Sequence, residues 1–301
     1  MTTMTLLHPG AMGAAVGEQA VQGGARVLWL PDGRSQATRA RAGKAGLEEC
    51  GSLQEALAAS DVVVSLCPPQ AAEDVARQVA YLSYGGVFVD ANAISPHRME
   101  RVTALFSEHG TAVVDGAVFG PPPTGGRRAS LSLSGDRRGT QALVDAFDGT
   151  DLGVRVLERP IGAASALKMA FAGFQKAART LAAVSHALAE AHGVAGELAE
   201  HARAMPADIL ADSDYLPSVA ARAWRWAPEM HEIAETLRQA GLPDQIAEAT
   251  ASVMLRWEGD KDRFDMSLPE VFAHLHTEDV QKPGDEASGD HGTRCDRDQA
   301  P

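Results

Sequence analysis

Apolar residues come in short bursts through the first half of the chain and in long helical stripes through the second. Thr3 to Leu7 reads as a first strand, followed by a helix from Ala11 to Gly24 and a second strand from Arg26 to Leu30. Helices follow at Arg34 to Gly43 and Ser52 to Ala59. Asp61 to Cys67 is a continuous apolar run of the kind a strand buried on both faces requires. Gly86 to Asp90 and Thr111 to Val114 read as further strands, Ser130 to Ser134 alternates as an edge strand does, and Gly153 to Leu157 fits the last. Strands separated by helices of this length predict an α/β fold, a doubly wound parallel sheet.

The pattern changes near Gly162. Ala163 to Ala191 contains no proline and one glycine, and Leu167, Phe171, Phe174, Ala178, Leu181 and Leu188 recur at helical spacing. This predicts one helix of roughly 30 residues with a buried stripe, far longer than the usual ~11–12. It serves either as a central core helix or as a helix that joins domains and supports a dimer. Further helices are expected at about Ala195 to Ala211, Leu216 to Trp224, Pro228 to Ala240 and Asp244 to Glu258. The organisation expected is a sheet domain over 1–161, an all-helical domain over 162–277 opened by the long interdomain helix, and an acidic tail over 278–301. The tail has almost no apolar residue with which to order itself.

Composition narrows the chemistry. Of 301 residues 45% are hydrophobic and 22% charged, a globular profile. The formal net charge of −13, without a Lys/Arg-rich run, speaks against nucleic acid as a partner. Cys50, Cys67 and Cys295 have neither metal-finger nor redox-pair spacing and read as free thiols. There is no signal-peptide pattern and no apolar run near the ~20 residues that span a bilayer, so a cytoplasmic protein is expected, away from membranes.

The first strand runs into His8-Pro9-Gly10-Ala11-Met12-Gly13, which opens a helix. In a Gly-x-Gly-x-x-Gly dinucleotide fingerprint the second glycine lets the backbone approach the pyrophosphate and the third lets helix pack on strand. Gly10 and Gly13 hold those places, and His8 stands where the first glycine belongs. The motif alone also fits an ordinary glycine turn. Its position between strand and helix points to a Rossmann-type nucleotide domain, with phosphates at the helix start. At the end of the second strand an acidic residue selects NAD and an arginine NADP. Asp32 favours NAD. Arg34, Ser35, Thr38 and Arg39 favour NADP, because a guanidinium and hydroxyls make a phosphate pocket. NADP is the preferred reading, with NAD possible.

Four segments resemble the β-hydroxyacid dehydrogenases, the superfamily of 3-hydroxyisobutyrate and 6-phosphogluconate dehydrogenases, with imine reductases as relatives. Gly10-Ala11-Met12-Gly13 resembles the family's Gly-x-Met-Gly. Leu66-Cys67-Pro68-Pro69 resembles the turn lying along the cofactor, and Val89 to Pro96, with Asn92, the segment near the nicotinamide. Asp115 to Gly120 takes the place of the substrate-binding Asp-Ala-Pro-Val-Ser-Gly motif, and Gly162 to Lys168 that of the catalytic Gly-x-Gly-x-x-x-Lys. The resemblance implies a homodimer, intertwined, with the active site between domains. It also shows departures. Phe119 replaces the substrate-binding serine, Ala164 a glycine, and Ala172 the asparagine after the lysine. A larger, more apolar pocket is expected, and the substrate does not carry over.

Lys168 is the expected general acid/base. Hydride transfer to a carbonyl leaves negative charge on oxygen, and a positioned proton donor accelerates such a step by ~10²–10⁴. The positive end of the helix dipole and partial burial both lower a lysine's pKa, suiting it to give or take a proton. Phe119, Gly120, Ala172, Gln175, Trp226 and Met230 are the candidate substrate contacts. Gln175 lines either the pocket or a dimer contact. Trp226, Met230, Ile233 and Leu237 form a stripe that fits either a core or, at its aromatic end, a pocket wall. Glu229, His231, Glu232 and Glu235 read as a solvated face, and His274 and His276 as unligated; no metal site is expected. The leading expectation is an NADP-dependent oxidoreductase acting on a small hydroxy or oxo acid. Reduction of a cyclic imine and a non-catalytic NADPH sensor are the alternatives.

Overall fold

The computed structural model describes residues 1–191, 193–204, 212–239 and 244–276. The predicted acidic tail and the segment 205–211 at the end of one predicted helix therefore lie outside the described residues.

The first half forms one eight-stranded sheet. Its strands are β1 (Thr3–Leu6), β2 (Arg26–Trp29), β3 (Glu48–Glu49), β4 (Val62–Ser65), β5 (Val87–Asp90), β6 (Ala112–Phe119), β7 (Ala129–Gly135) and β8 (Leu152–Val156), in spatial order β3-β2-β1-β4-β5-β6-β7-β8. Neighbours run parallel except β6 and β7, which pair antiparallel from Val114↔Gly135 to Phe119↔Ser130. The strand order reverses beside β1, so the first glycine turn opens at the crevice where doubly wound sheets bind ligands. Ser130 to Ser134 is not an edge: β7 lies between β6 and β8, and its alternate residues Leu131 and Leu133 are buried. β8, half exposed, is the edge instead.

Helices α1 (Ala11–Gln22), α2 (Gln36–Lys44), α3 (Leu53–Ala59), α4 (Ala72–Tyr81), α5 (Pro96–Ala104) and α6 (Arg137–Ala146) cover the sheet. Apolar clusters fill both of its faces: Met4, Leu6, Trp29 and Val64 with Leu133 and Leu143 on one, Val63, Phe88, Ile94 and Met99 on the other. Four of these helices begin on a side-chain cap (Ser35, Ser52, Ser95, Asp136) that accepts from a first-turn amide.

Past Gly162, whose φ of +94° turns the chain in a conformation favouring glycine, the fold is helical. The long helix α7 spans Ala163–Ala191, as its periodicity predicts. It is followed by α8 (Ala195–Arg203), α9 (Leu216–Gln239), α10 (Gln245–Met254) and α11 (Leu268–Ala273). The two helices expected at Leu216 to Trp224 and Pro228 to Ala240 are one, with Pro228 inside it. A proline there removes one backbone bond. Burial of Val219, Ala223, Ala227, Met230 and Ile233 along a single face holds the helix through that point.

The stripe on α7 faces the other way from expectation. Leu167, Phe171, Phe174 and Leu181 are exposed at 41%, 49%, 72% and 62%. The buried face carries Met169, Ala172, Lys176, Thr180 and Ala183 instead, whose alanines let α9 pack closely. The side chain of Leu188 lies outside the described set.

α9 is also tied to the sheet layer. Glu232 pairs with the Arg98 guanidinium and accepts from the Ser95 amide, while Arg98 binds Glu73 and the Pro69 carbonyl. The expected solvated face of α9 is therefore largely an ion-pair surface: Glu229 holds Lys176, His231 meets Glu248, and Glu235 pairs with Arg238. His274, too, has a partner, Asp260, at 2.6 Å.

Candidate active site

Two regions carry the predicted site residues. The first is the turn between β1 and α1. Pro9 is buried, while Gly10 and Ala11 are exposed and Met12 partly so. Gly10 caps α1 without a side chain, so the amides of the first turn have no side-chain acceptor there, unlike those of the four capped helices. Gly13 is required by space: a Cβ at this position would stand 2.3 Å from the His8 carbonyl oxygen. Gly13→Ala is accordingly expected to distort the turn. NADPH titration followed by fluorescence should show sharply weakened binding while the helical circular dichroism is kept; unchanged affinity would contradict the reading of this turn.

His8 and Arg34 flank the turn. The Arg34 guanidinium reaches back to the Leu7 carbonyl (3.4 Å), leaving its Nε buried without a partner, and His8 Nδ1 is buried and unpartnered as well. Burial, then the Arg34 charge, lowers the His8 pKa to about 4. Two orphaned polar atoms beside bare helix amides fit a bound dinucleotide. The other predicted phosphate residues are occupied. Ser35 Oγ caps α2 and meets Thr38 Oγ1 at 3.1 Å; Arg39 donates to the Pro31 carbonyl and lies near Glu49.

On the next crevice-lining loop, Cys67, Pro68 and Pro69 lead into a short 3₁₀ turn. Cys67 is a free thiol whose pKa burial raises to about 11, so it stays protonated near neutral pH. Asn92 is buried and fully used. Its Oδ1 accepts from the Cys67 amide at 2.6 Å, and its Nδ2 donates to Ser65 Oγ and Asp90 Oδ2, both at 3.0 Å. Its place in the site is to fix the Cys67 loop.

The second region is the junction of β6 and α7. Asp115 Oδ2 accepts from the Ser165 amide and Ser134 Oγ, both at 3.0 Å, its Oδ1 accepts from Ser165 Oγ at 2.7 Å, and Ser134 Oγ accepts from the Ala164 amide at 3.1 Å. Buried side chains of two strands thus satisfy the first amides of α7 and set its direction. Asp90 sits opposite Asp115 in the sheet, and burial raises the pKa of both carboxyls, that of Asp90 to about 7.

This anchoring delivers Lys168. Its Nζ donates to the Val118 carbonyl at 2.8 Å and lies 5.2 Å from the centre of the Phe119 ring. Phe119 meets Phe171 edge-on at 5.4 Å, and Gly120, at φ +102°, turns the chain away beyond it. Desolvation, followed by the charges of Lys176 and Arg225, lowers the Lys168 pKa to about 8 against an opposing pull from Glu229.

The remaining candidates separate. Ala172 is buried between α7 and α9 and Met230 lies in the helical core, so neither offers surface to a substrate. Gln175 is exposed on α7. Trp226 is half-buried and holds Lys176 Nζ 5.6 Å from its ring centre. Sequence reasoning missed Lys176, which is 5% exposed and paired to Glu229 at 2.6 Å. The signal was its spacing of eight from Lys168, which places both amines along one side of α7.

Comparison with known proteins bears on the fold that carries these residues. The NAD binding domain of 6-phosphogluconate dehydrogenase matches residues 5–150, and a domain of unknown function, DUF1932, matches residues 189–257. An uncharacterized 28.5 kDa protein of Methanothermus fervidus is 27% identical over 169 residues, 56% of this chain; the chain spans 63% of that relative's length. Among solved structures, 3-hydroxyisobutyrate dehydrogenase of Mycobacterium tuberculosis, solved with L-serine, superposes with a TM-score of 0.70 at 19% identity, over 92% of this chain and 100% of that one. An imine reductase from Pseudomonas sp. gives 0.55 at 18%, over 91% and 99%. A reductive aminase from Aspergillus terreus, in complex with NADPH and ethyl levulinate, gives 0.56 at 18%, over 92% and 100%. The chain thus has an NAD(P)-binding oxidoreductase fold of the hydroxyacid dehydrogenase and imine reductase type. It joins an NAD binding domain of the 6-phosphogluconate dehydrogenase type to a C-terminal DUF1932 domain, and this arrangement is similar to that of the β-hydroxyacid dehydrogenases. Among the described residues no helix is long and apolar enough to cross a membrane, and no cluster of metal-ligating side chains occurs.

Proposed function

We propose that this protein is an NADP-preferring oxidoreductase that reduces, and in reverse oxidises, a small oxo/hydroxy compound, with Lys168 as the general acid/base. One observation carries the reading: an amine of lowered pKa, fixed on the Val118 carbonyl beside the aromatic pair Phe119 and Phe171. The free amides of α1, His8 and Arg34 would hold the dinucleotide, with Gly10 and Gly13 giving the backbone room. A bound NADPH supplies the hydride. The chain's own part is the proton: Lys168 in its ammonium form gives one from Nζ to the substrate oxygen in reduction, and as free amine takes one in oxidation. The Val118 carbonyl accepts a hydrogen bond from Nζ in both forms, so the group keeps its place as it titrates.

Reduction of a cyclic imine is a second reading, favoured by the rings at Phe119 and Phe171 where hydrogen-bonding side chains would orient a small acid. A panel of ketoacids, aldehydes and cyclic imines, followed by NADPH absorbance decay, separates the two. NADPH binding with no turnover of any member would instead leave a sensor.

The exposed face of α7 supports a homodimer. Leu167, Phe171, Phe174 and Leu181 stand four, three and seven residues apart, the spacing of a helix–helix seam, and a second copy would cover them. Light scattering should give twice the chain mass, and Phe174→Glu should shift it toward the monomer; a monomeric wild type would remove the seam.

A further inference from the structure

Along the C-terminal edge of the parallel strands the loops follow one another in the order β1, β4, β5, β6. The glycine turn leaves β1, and Lys168 Nζ is held on the Val118 carbonyl near the end of β6. Three strand spacings of roughly 4.8 Å, about 14 Å in all, separate those two strands. A dinucleotide with its phosphates on the α1 amides and its ring toward Lys168 would therefore cross the loops that leave β4 and β5. What holds those loops decides where the ring can lie.

Both loops are fastened to the helical domain. Arg98, in the first turn of α5, donates from Nε to Glu73 Oε1 on α4 at 2.8 Å, from Nη2 to the Pro69 carbonyl at 2.9 Å, and from Nη1 to Glu232 Oε1 on α9. One planar guanidinium thus joins α4, the loop after β4 and α9. Glu232 grips the same turn a second time: its Oε2 accepts from the Ser95 amide at 3.3 Å, while Ser95 Oγ accepts from the Arg98 amide at 3.3 Å. These side chains are largely shielded, Arg98 being 14% exposed and Glu232 18%. Beside the clamp, Ala93 packs against the helical core, and Pro96 lies against Gly162, where a Cβ would stand 3.4 Å from the proline's own. Asn92 ties the two loops together through the Cys67 amide. None of the bonds named here reaches the glycine turn.

We propose that Arg98 is a positioning residue of this site: by bracing the β4 and β5 loops to α9, it holds the nicotinamide half of the dinucleotide in line with Lys168 and leaves the adenosine half to the glycine turn. The proposal rests on the oxidoreductase reading and deepens it. The hydride would come from a ligand of the sheet domain and the proton from the helical domain. A brace between the two sets the geometry of transfer, in which a misplacement of ~1 Å costs about 10²-fold. Arg98 is itself engaged by Glu73, Glu232 and the Pro69 carbonyl, so it acts through the loops and not as a ligand. A lysine at this position keeps the charge but lacks the fork that spans three acceptors at once.

The test compares NADPH with 2′-phospho-ADP-ribose, which lacks the nicotinamide, by calorimetric titration in wild type, Arg98→Met, Arg98→Lys and Glu232→Gln. Arg98→Met should weaken NADPH by about 3–30-fold and leave 2′-phospho-ADP-ribose unchanged. Glu232→Gln should act in the same sense, and Arg98→Lys should recover part of the loss. If Arg98→Met does not fold, the isosteric Glu232→Gln carries the comparison. In the unliganded protein, hydrogen exchange should quicken over 66–72 and 92–95 in the variant and stay as in wild type over 8–13. Equal losses for both ligands, NADPH affinity unaltered in the variants, or exchange that quickens equally in all three segments would overturn the proposal. A wild type that binds no NADPH removes the oxidoreductase reading itself, whereas NADPH binding with equal losses removes only the brace.

Discussion

Lys168→Met lowers the rate of carbonyl reduction by about 10²–10⁴-fold, the range expected for loss of a positioned proton donor, and leaves NADPH affinity nearly unchanged. The amine is separated in sequence and structure from the glycine turn that would hold the phosphates, so cofactor binding does not depend on it. The pH profile carries the same signature. With a pKa of about 8, Lys168 is largely protonated at pH 7, so wild-type reduction slows as pH rises through about 8, and oxidation quickens across the same range. In Lys168→Met both limbs flatten. Stability moves the other way. The folded pKa lies below the unfolded value of 10.5, so between about 8 and 10.5 the unfolded chain binds more protons and stability rises with pH. Below about 8 the cost of burying the charge is present in full, and the methionine variant is expected to melt higher than wild type at pH 7. Equal turnover in the variant, measured by single-turnover NADPH oxidation, would take the lysine out of the mechanism.

Arg34→Ala weakens NADPH by about 10–100-fold, the equivalent of one or two charge-assisted hydrogen bonds at ~1.5–3 kcal/mol each, and NADH far less. Among the four residues read as a phosphate pocket, Arg34 alone has a buried donor without a partner; Arg39, Ser35 and Thr38 already bond within the chain. An anion beside Arg34 would also reach the neutral His8 ring and raise its pKa from about 4. NADPH affinity should therefore strengthen as pH falls toward the His8 value in the complex, and that limb should vanish in His8→Ala. A parallel loss of NADH and NADPH in Arg34→Ala, read by fluorescence titration, would contradict a phosphate pocket.

Much of this was legible in the residues because the signals are local. The strand–turn–helix around Gly10 and Gly13, the length of α7 and the candidacy of Lys168 each follow from a short run of sequence. What the residues concealed is tertiary. Two glutamates make β3, too brief for any alternation to show. Pro228 looks like a stop signal, but the apolar face running from Leu216 to Ile233 outweighs one missing bond. The seven residues of β7 alternate as an edge strand would, and only pairing on both sides shows otherwise. Periodicity located the stripe on α7 but could not tell a face buried within one chain from a face left open. Glu229 reads as part of a solvated face, and only the packing of α7 on α9 shows it paired with the buried Lys176.

The most direct measurement is a crystal structure of the protein with NADP⁺. The account predicts pyrophosphate on the amides at Gly10 to Gly13, the adenosine end beside Arg34 and His8, and the nicotinamide ring directed toward Lys168 Nζ. A dinucleotide seated elsewhere, or one whose ring points away from that amine, would contradict it.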